Sequence, residues 1–163
     1  MRPLLLALLP LSLLVPACSP QAATPTPATG EQQRAVHPES GLEVIPLTVT
    51  TPGGTAHDFR VEVARSPQEQ ARGLMFRTAM GPDEGMLFPY DQPRVLSFWM
   101  RNTVLSLDIV FIGPDRRVIN IAADAVPYSE ESLMSDAPAV AVLELNAGRA
   151  RELGIVAGSK VEW

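Results

Sequence analysis

The sequence has one cysteine, Cys18, in 163 residues. Because Cys18 directly follows the apolar N-terminal run, the rest of the chain has no thiol for a disulfide, a thiolate metal ligand or a cysteine nucleophile. The chain also lacks a Gly-x-Ser-x-Gly sequence, a glycine-rich phosphate loop and a histidine-rich metal motif. These absences argue against serine, cysteine and zinc hydrolases, and we expect no bound metal and no cofactor.

Charge is also scarce. Charged residues make up 19% of the sequence, with 13 Lys and Arg against 18 Asp and Glu and a formal net charge of −5. Nucleic acids and anionic lipid surfaces are bound through clustered basic side chains. We therefore expect no nucleic-acid partner.

The first eighteen residues have the pattern of a lipoprotein leader. A positive start precedes an apolar run, Leu4–Leu14, that is too short to span a bilayer as a helix. Residues 15–18, Val-Pro-Ala-Cys, resemble a bacterial lipobox. The pattern predicts a signal peptide over residues 1–17 and a lipid anchor on Cys18. Because Ser19 follows, we expect an outer-membrane lipoprotein whose domain faces the periplasm.

Residues 18–42 are predicted to be this lipidated cysteine followed by a disordered tether. Pro, Thr, Ala and Gln dominate the segment, and few of its side chains can offset the entropy cost of ordering. His37 falls in the tether and receives no chemical role. An ordinary secretory leader with an incidental cysteine, and a retained short anchor, are the alternatives.

The remaining residues, 43–163, are predicted to form one globular domain. Alternating runs at Val44–Thr50 and Ala56–Ala64 flank a Pro-Gly-Gly turn, and Ser66 is placed to cap a short helix that ends at Gly73. Further strands are predicted at Gly85–Phe88, Val95–Met100, Leu107–Ile112, Arg117–Ile121, Val140–Leu145 and Lys160–Glu162, and Asn146 is predicted to cap a second short helix. Without βαβ alternation, this pattern predicts a mainly β (α+β) fold, a compact β-sandwich or barrel-like domain with two short helices.

Two acidic residues occupy strand positions whose neighbours on the same face are apolar. Asp108 shares its face with Val110, and Glu144 shares its face with Val142. A buried ionised acid needs a donor, and three arginines are candidates: Arg72, Arg77 and Arg101. Buried ion pairs are the simpler interpretation. The bolder one is a carboxylate pair that hydrolyses a glycosidic bond.

Residues 98–103, Phe-Trp-Met-Arg-Asn-Thr, combine a large aromatic ring, a guanidinium, an amide and a hydroxyl at the end of a strand. Binding sites are often built in such loops. Trp99 and Arg101 project to one face, where they can stack on and hold a sugar or a carboxylate. The alternative is that Trp99 covers the core and Arg101 pairs with an acid.

Four methionines lie within a short stretch of the predicted domain: Met75, Met80, Met86 and Met100. Thioether clusters bind copper(I) in some envelope proteins. The spacing fits no single strand or helix face, so core filling is the simpler interpretation.

Several segments together resemble a known family. They are Arg72–Arg77, Gly85–Phe88, Phe98–Thr103, Leu107–Ile109 and Leu143–Gly148, followed by Gly154 and Gly158. Over nearly the whole predicted domain the chain resembles the domain of unknown function 192 family of small prokaryotic proteins, which often carry a leader. Arg101, where lysine is frequent, and Ser106, where proline is expected, depart from the family pattern. The resemblance implies a compact, mainly β, sandwich-like fold and supplies no catalytic residues.

These observations favour a non-catalytic ligand-binding or accessory domain of the cell envelope, with a glycan or a small carboxylate as ligand. The predicted ligand surface consists of Arg72, Trp99, Arg101, Asn102, Asp108 and Glu144. One alternative is a glycan hydrolase, which requires Asp108 and Glu144 to face a shared cleft. Another is a copper-handling protein, which requires methionine sulfurs to meet near solvent.

Overall fold

The computed structural model describes residues 35–163, and this part contains nine strands and two short helices. They are β1 (Val44–Thr50), β2 (Ala56–Val63), α1 (Pro67–Arg72), β3 (Glu84–Arg94), β4 (Ser97–Phe98), β5 (Leu107–Ile112), β6 (Val118–Ala125), β7 (Leu133–Met134), β8 (Ala139–Asn146), α2 (Arg149–Glu152) and β9 (Lys160–Glu162). The predicted mainly β fold with two short helices is confirmed. The leader, Cys18 and most of the tether lie outside the described residues, so predictions about them stay predictions.

Seven of the strands form one mixed sheet in the order β6-β5-β8-β3-β2-β1-β9, and β4 pairs with β7 in a separate ribbon. Only β2 and β3 are parallel among the strand pairs of residues 35–163, because α1 and its following loop carry the chain back between them. An isolated bridge joins Arg117 to Lys160, and Val118 N donates to Ser159 O at 2.8 Å. The sheet therefore curls until its two outer strands meet at one end, without closing into a full barrel.

The curled sheet has an apolar cluster on each face. The first cluster takes residues from all seven strands, as expected for the inside of the curl; its buried members include Leu47, Phe59, Leu87, Val110, Val118, Leu143 and Val161. The second cluster takes residues from β3, β5, β6 and β8 and from the loops that cover them; its members include Leu74, Met86, Phe88, Met100, Ile109 and Val142. Because the first cluster fills the curl, the covering segments on the second face are the ones that can shape a surface pocket.

Local sequence accounts for α1. The Ser66 hydroxyl accepts from the Glu69 backbone N at 3.2 Å, and the Glu69 carboxylate accepts from the Ser66 backbone N at 2.7 Å, which is the predicted capping box. Gly73 ends the helix at φ 47°, a conformation that favours glycine. A Cβ at Gly73 would lie 3.3 Å from the Phe88 ring, so the glycine also allows the end of α1 to approach the sheet.

The second helix begins differently from the prediction. Asn146 is the last residue of β8, and its side-chain amide donates to the carbonyls of Met80 and Gly81. The backbone N–H groups at the start of α2 instead donate to the carboxylate of Asp108. This residue of β5 precedes Gly148 by 40 positions in the chain. A cap supplied from so far along the chain leaves no signal in the local sequence.

Residues 35–42, placed in the tether by the sequence pattern, pack on the domain. Val36 forms a bridge with Glu43, and Val44 N donates to Ala35 O at 2.7 Å. Residues 35–42 therefore contact the domain whose predicted first residue is 43. Among residues 35–163, no helix has the length and apolar character to cross a membrane.

A buried ion pair fixes this N-terminal segment. Arg77 Nη1 and Nη2 donate to the Glu62 carboxylate at 2.9 and 3.0 Å. Two residues of the 35–42 segment contact this ion pair. The Glu39 carboxylate lies 3.0 Å from Arg77 Nε, and the Ser40 hydroxyl donates to Glu62. His37, for which no chemical role was predicted, has its Nε2 atom 3.4 Å from Arg77 Nη1. Arg77, a candidate donor for Asp108 or Glu144, is thus already paired.

Candidate functional site

The two buried acids of the predicted surface lie on neighbouring strands but on opposite faces of the sheet. Glu144 of β8 is paired with Ile109 of β5, and Asp108 is paired with Leu145. Because successive side chains of a strand point to opposite faces, Glu144 points toward the second cluster and Asp108 toward the first. The shared cleft that a two-carboxylate hydrolase requires is not formed, and the geometry contradicts that alternative.

Asp108 is fully buried, and backbone donors occupy its carboxylate. Oδ1 accepts from Asp124 N at 3.0 Å and Gly148 N at 3.1 Å, and Oδ2 accepts from Ala150 N at 2.9 Å. Charge-assisted hydrogen bonds of this kind satisfy an ionised carboxylate without a cation. Asp108 therefore links β5 to β6 and to the start of α2, away from any surface it could share with Glu144.

Glu144 has the opposite environment. It is only 5% exposed, and its Oε2 is buried without a hydrogen-bond partner within residues 35–163. Burial raises the pKa of Glu144 to about 8, because the charged form would lose its hydration. At pH 7 the side chain is a neutral carboxylic acid that can donate one hydrogen bond and accept others.

Glu144 lines a pocket of about 180 Å³ between the end of α1 and the loop that follows β4. The pocket has apolar walls and a polar rim; the residues used below are Arg72, Phe88, Tyr90, Phe98, Trp99 and Thr103. The rings of Phe88 and Phe98 meet edge to face, with centroids 5.1 Å apart. This volume is below the roughly 300–1,000 Å³ of pockets for drug-sized ligands, so the pocket suits a small ligand.

One guanidinium group lines this pocket, and two more lie against aromatic rings of its lining. Arg72 lines it, is exposed, and makes no ion pair or side-chain hydrogen bond with any residue from 35 to 163. The guanidinium of Arg94 lies 4.9 Å from the Tyr90 ring centroid, and that of Arg101 lies 5.5 Å from the Trp99 ring centroid. Burial raises the pKa of Tyr90, and the charge of Arg94 opposes this rise. Arg72 and Arg94 therefore place positive charge beside the pocket.

Three of the six residues predicted as a ligand surface line the pocket: Arg72, Trp99 and Glu144. Arg101 lies outside the lining, where it stacks on Trp99 and approaches Glu130 at 3.8 Å. Asn102 also lies outside the lining, in left-handed backbone with φ 56°. Its carbonyl accepts from Phe76 N at 2.9 Å, so Asn102 holds the loop against the turn after α1.

The methionines do not form a solvent-facing cluster. Met86 is fully buried and Met100 is 1% exposed, and both belong to the second apolar cluster. The copper alternative required sulfurs near solvent, so this burial contradicts it. Among the described residues there is also no group of three or more His, Cys, Asp and Glu placed to hold a metal ion.

Comparison with known proteins identifies the family. The family model for DUF192, described as "Uncharacterized ACR", matches residues 48–163. The chain belongs to the DUF192 family. The resemblance found in the sequence is confirmed.

Two solved structures are similar to this DUF192 protein. A protein of unknown function from Novosphingobium aromaticivorans DSM 12444 is 58% identical, with a TM-score of 0.77, and the match covers 80% of this chain and 92% of that one. A putative transcription regulator from Sinorhizobium meliloti 1021 is 40% identical, with a TM-score of 0.73, and the match covers 74% and 94%. No curated protein matches the chain.

Tyr90 is a polar pocket residue of this DUF192 domain that sequence reasoning did not mark as a ligand-site candidate. Tyr90 continues the alternation of Met86 and Phe88 along β3, which was a usable signal. Pro89 concealed it, because proline argues against the interior of a strand. Here β3 has a register irregularity between Pro89 and Arg94, and the strand continues past the proline.

Proposed function

We propose that this DUF192 domain binds a small polar ligand, a sugar or a small carboxylate, in the pocket lined by Glu144, and that it does so without catalysing a reaction. The observation that carries the proposal is the Glu144 carboxyl group, which is buried, lines the pocket and has no hydrogen-bond partner for Oε2 in residues 35–163. Leaving such a group unsatisfied costs about 1–3 kcal/mol. A ligand that bonds to the carboxyl group would recover part of this cost.

The rest of the pocket supports the same proposal. Apolar walls with a few convergent polar groups are typical of small-molecule sites. Trp99 is 48% exposed and offers an aromatic surface to a ligand ring. The unpaired guanidinium of Arg72 suits a carboxylate. Among residues 35–163, Glu144 is the only acidic residue that lines this pocket, so acid-base chemistry with two carboxylates has no support here.

We further propose that the domain is held in the cell envelope as an outer-membrane lipoprotein that faces the periplasm. Support comes from the leader and the lipobox-like residues before Cys18, which precede the described part of the chain. In cells fed radioactive palmitate, we expect label in the parent protein and none in Cys18→Ser. Equal labelling of both proteins would contradict the anchor.

Thermal unfolding of the full chain tests the binding site. The chain is kept in a detergent that lacks sugar and carboxylate groups and is mixed with glucose, N-acetylglucosamine, succinate or butyrate. A ligand that binds the folded state raises the unfolding midpoint. We expect Trp99→Ala and Glu144→Ala to reduce this rise, and Tyr128→Ala, an exposed aromatic outside the pocket lining, to preserve it. A parent protein whose midpoint responds to none of the compounds would overturn the proposal.

A further inference from the structure

We propose that the ligand is a small carboxylate, held by a hydrogen bond from the buried carboxyl group of Glu144 and by the guanidinium of Arg72, with its apolar part against Phe88 and Phe98. This inference rests on the proposed function and narrows it, since that function admits a neutral sugar as well. The carboxylate of the ligand accepts the Glu144 proton, so one proton is shared by two carboxyl groups.

The surroundings of Glu144 exclude a competing acid. Its paired neighbours in the sheet are Met86 of β3 and Ile109 of β5, and both are apolar. The ionisable groups that share its pocket are Arg72, from the end of α1, and Tyr90, from β3. The guanidinium of Arg94 lies 4.9 Å from the Tyr90 ring centroid, so a second cation adjoins the pocket. An anionic ligand therefore meets a neutral acid and positive charge.

Charge distinguishes a carboxylate from a sugar at this site. A sugar presents neutral hydroxyls, which hydrogen bond to Glu144 but leave the charge of Arg72 without a counter-ion. A carboxylate satisfies both groups at once, because its two oxygens can accept from the acid and from the guanidinium. The unpaired Arg72 and the unpartnered Glu144 on one small pocket thus favour the carboxylate.

The proposed contact makes binding depend on pH in a defined direction. An ionised Glu144 would repel the ligand, so only its neutral form binds. With its pKa at about 8, affinity stays constant from pH 6 to pH 7 and falls above pH 8. The dissociation constant is expected to be about tenfold higher at pH 9 than at pH 7. In Glu144→Gln, the amide still donates but cannot ionise, so binding persists and this pH dependence disappears.

Paired probes of equal shape test the inference on the full chain. Butyrate and butyramide differ in charge, as do benzoate and benzamide, and glucose serves as the neutral sugar. Binding is followed by the indole ¹H–¹⁵N NMR signals. Trp99 lines the pocket, while Trp163 packs against the first cluster and serves as an internal control. We expect a carboxylate to shift the Trp99 signal and to bind at least about tenfold more tightly at pH 7 than its amide.

Two variants test whether the guanidinium of Arg72 contacts the ligand. Arg72→Gln is expected to weaken carboxylate binding about tenfold, since it removes a charge-assisted pair. Arg151→Gln removes an exposed guanidinium that pairs with Asp124 and should leave binding unchanged. If glucose or an amide shifts the Trp99 signal and neither carboxylate does, the carboxylate assignment is overturned while the proposed function stands. If none of the five compounds moves the signal, both are overturned.

Discussion

Asp108 and Glu144 are buried to a similar degree, at 0% and 5% exposure, and they lie on paired strands of one sheet. Three backbone N–H groups surround the Asp108 carboxylate, supplied by β6 and by the start of α2. Glu144 faces Met86 and Ile109 across its two neighbouring strands and finds no donor for Oε2 among residues 35–163. Burial alone therefore does not decide what a carboxylate does. The donors within reach decide whether it supports the fold or remains available to a ligand.

The largest expected effect is the loss of stability in Asp108→Ala. The change leaves three backbone donors without their acceptor, two of them at the start of α2, and should lower the free energy of unfolding by about 3–5 kcal/mol. Denaturant unfolding measures it. Asp58→Ala is the matched control, because Asp58 is exposed and accepts only from the Thr48 hydroxyl; it should cost less than about 1 kcal/mol. Equal losses in both variants would show that Asp108 has no special role.

A third buried acid, Glu62, sharpens the comparison because its donor is a cation. Glu62→Gln leaves the buried guanidinium of Arg77 with only the exposed carboxylate of Glu39. We expect a loss of about 3 kcal/mol in the free energy of unfolding. Glu39→Gln, on the same guanidinium but at the surface, should cost less than about 1 kcal/mol. If Glu39→Gln lowered the free energy of unfolding as much as Glu62→Gln, exposure to solvent would not explain how much each acid contributes to stability.

The last prediction is a dependence of stability on pH, and its effect per pH unit is the smallest of the three. The folded-state pKa of Glu144, about 8, lies above its ordinary value of 4.5, so the folded protein holds a proton that the unfolded chain releases. The stability of the parent relative to Glu144→Gln is therefore greatest below pH 4.5, falls by about 1.4 kcal/mol per pH unit as the pH rises toward 8, and then levels off. Denaturant unfolding at several pH values checks it. Parallel curves for the two proteins would mean that Glu144 ionises normally.

Local patterns predicted those parts of the fold whose causes are local. β1, β5 and β9 have the predicted bounds, since their alternation and flanking turns lie in a few consecutive residues. The capping box at Ser66 was likewise visible in four residues. The cap of α2 was not, because Asp108 supplies it from another element.

The sequence indicated which polar residues are unusual, but it did not indicate which of them lie together in one site. Polarity on an apolar strand face correctly marked Asp108 and Glu144 as unusual. Periodicity tells which residues of one strand share a face, but only the register between strands shows that these two acids point apart. Glu62 escaped notice for a similar reason. The alternation of apolar residues along β2 predicts that the Glu62 side chain faces solvent. The segment that covers it, residues 35–42, has a composition typical of a tether, so the sequence did not indicate that it packs there.

The bridge between Arg117 and Lys160 also affects how the protein behaves among its neighbours. In an open sheet, the two outermost strands leave rows of amide and carbonyl groups that invite another chain to add a strand. Here the outer strands approach each other, with Val161 N donating to Arg116 O at 2.8 Å as well as the contact from Val118. The fold thereby shields part of its own edges from intermolecular β-pairing, which protects it against aggregation.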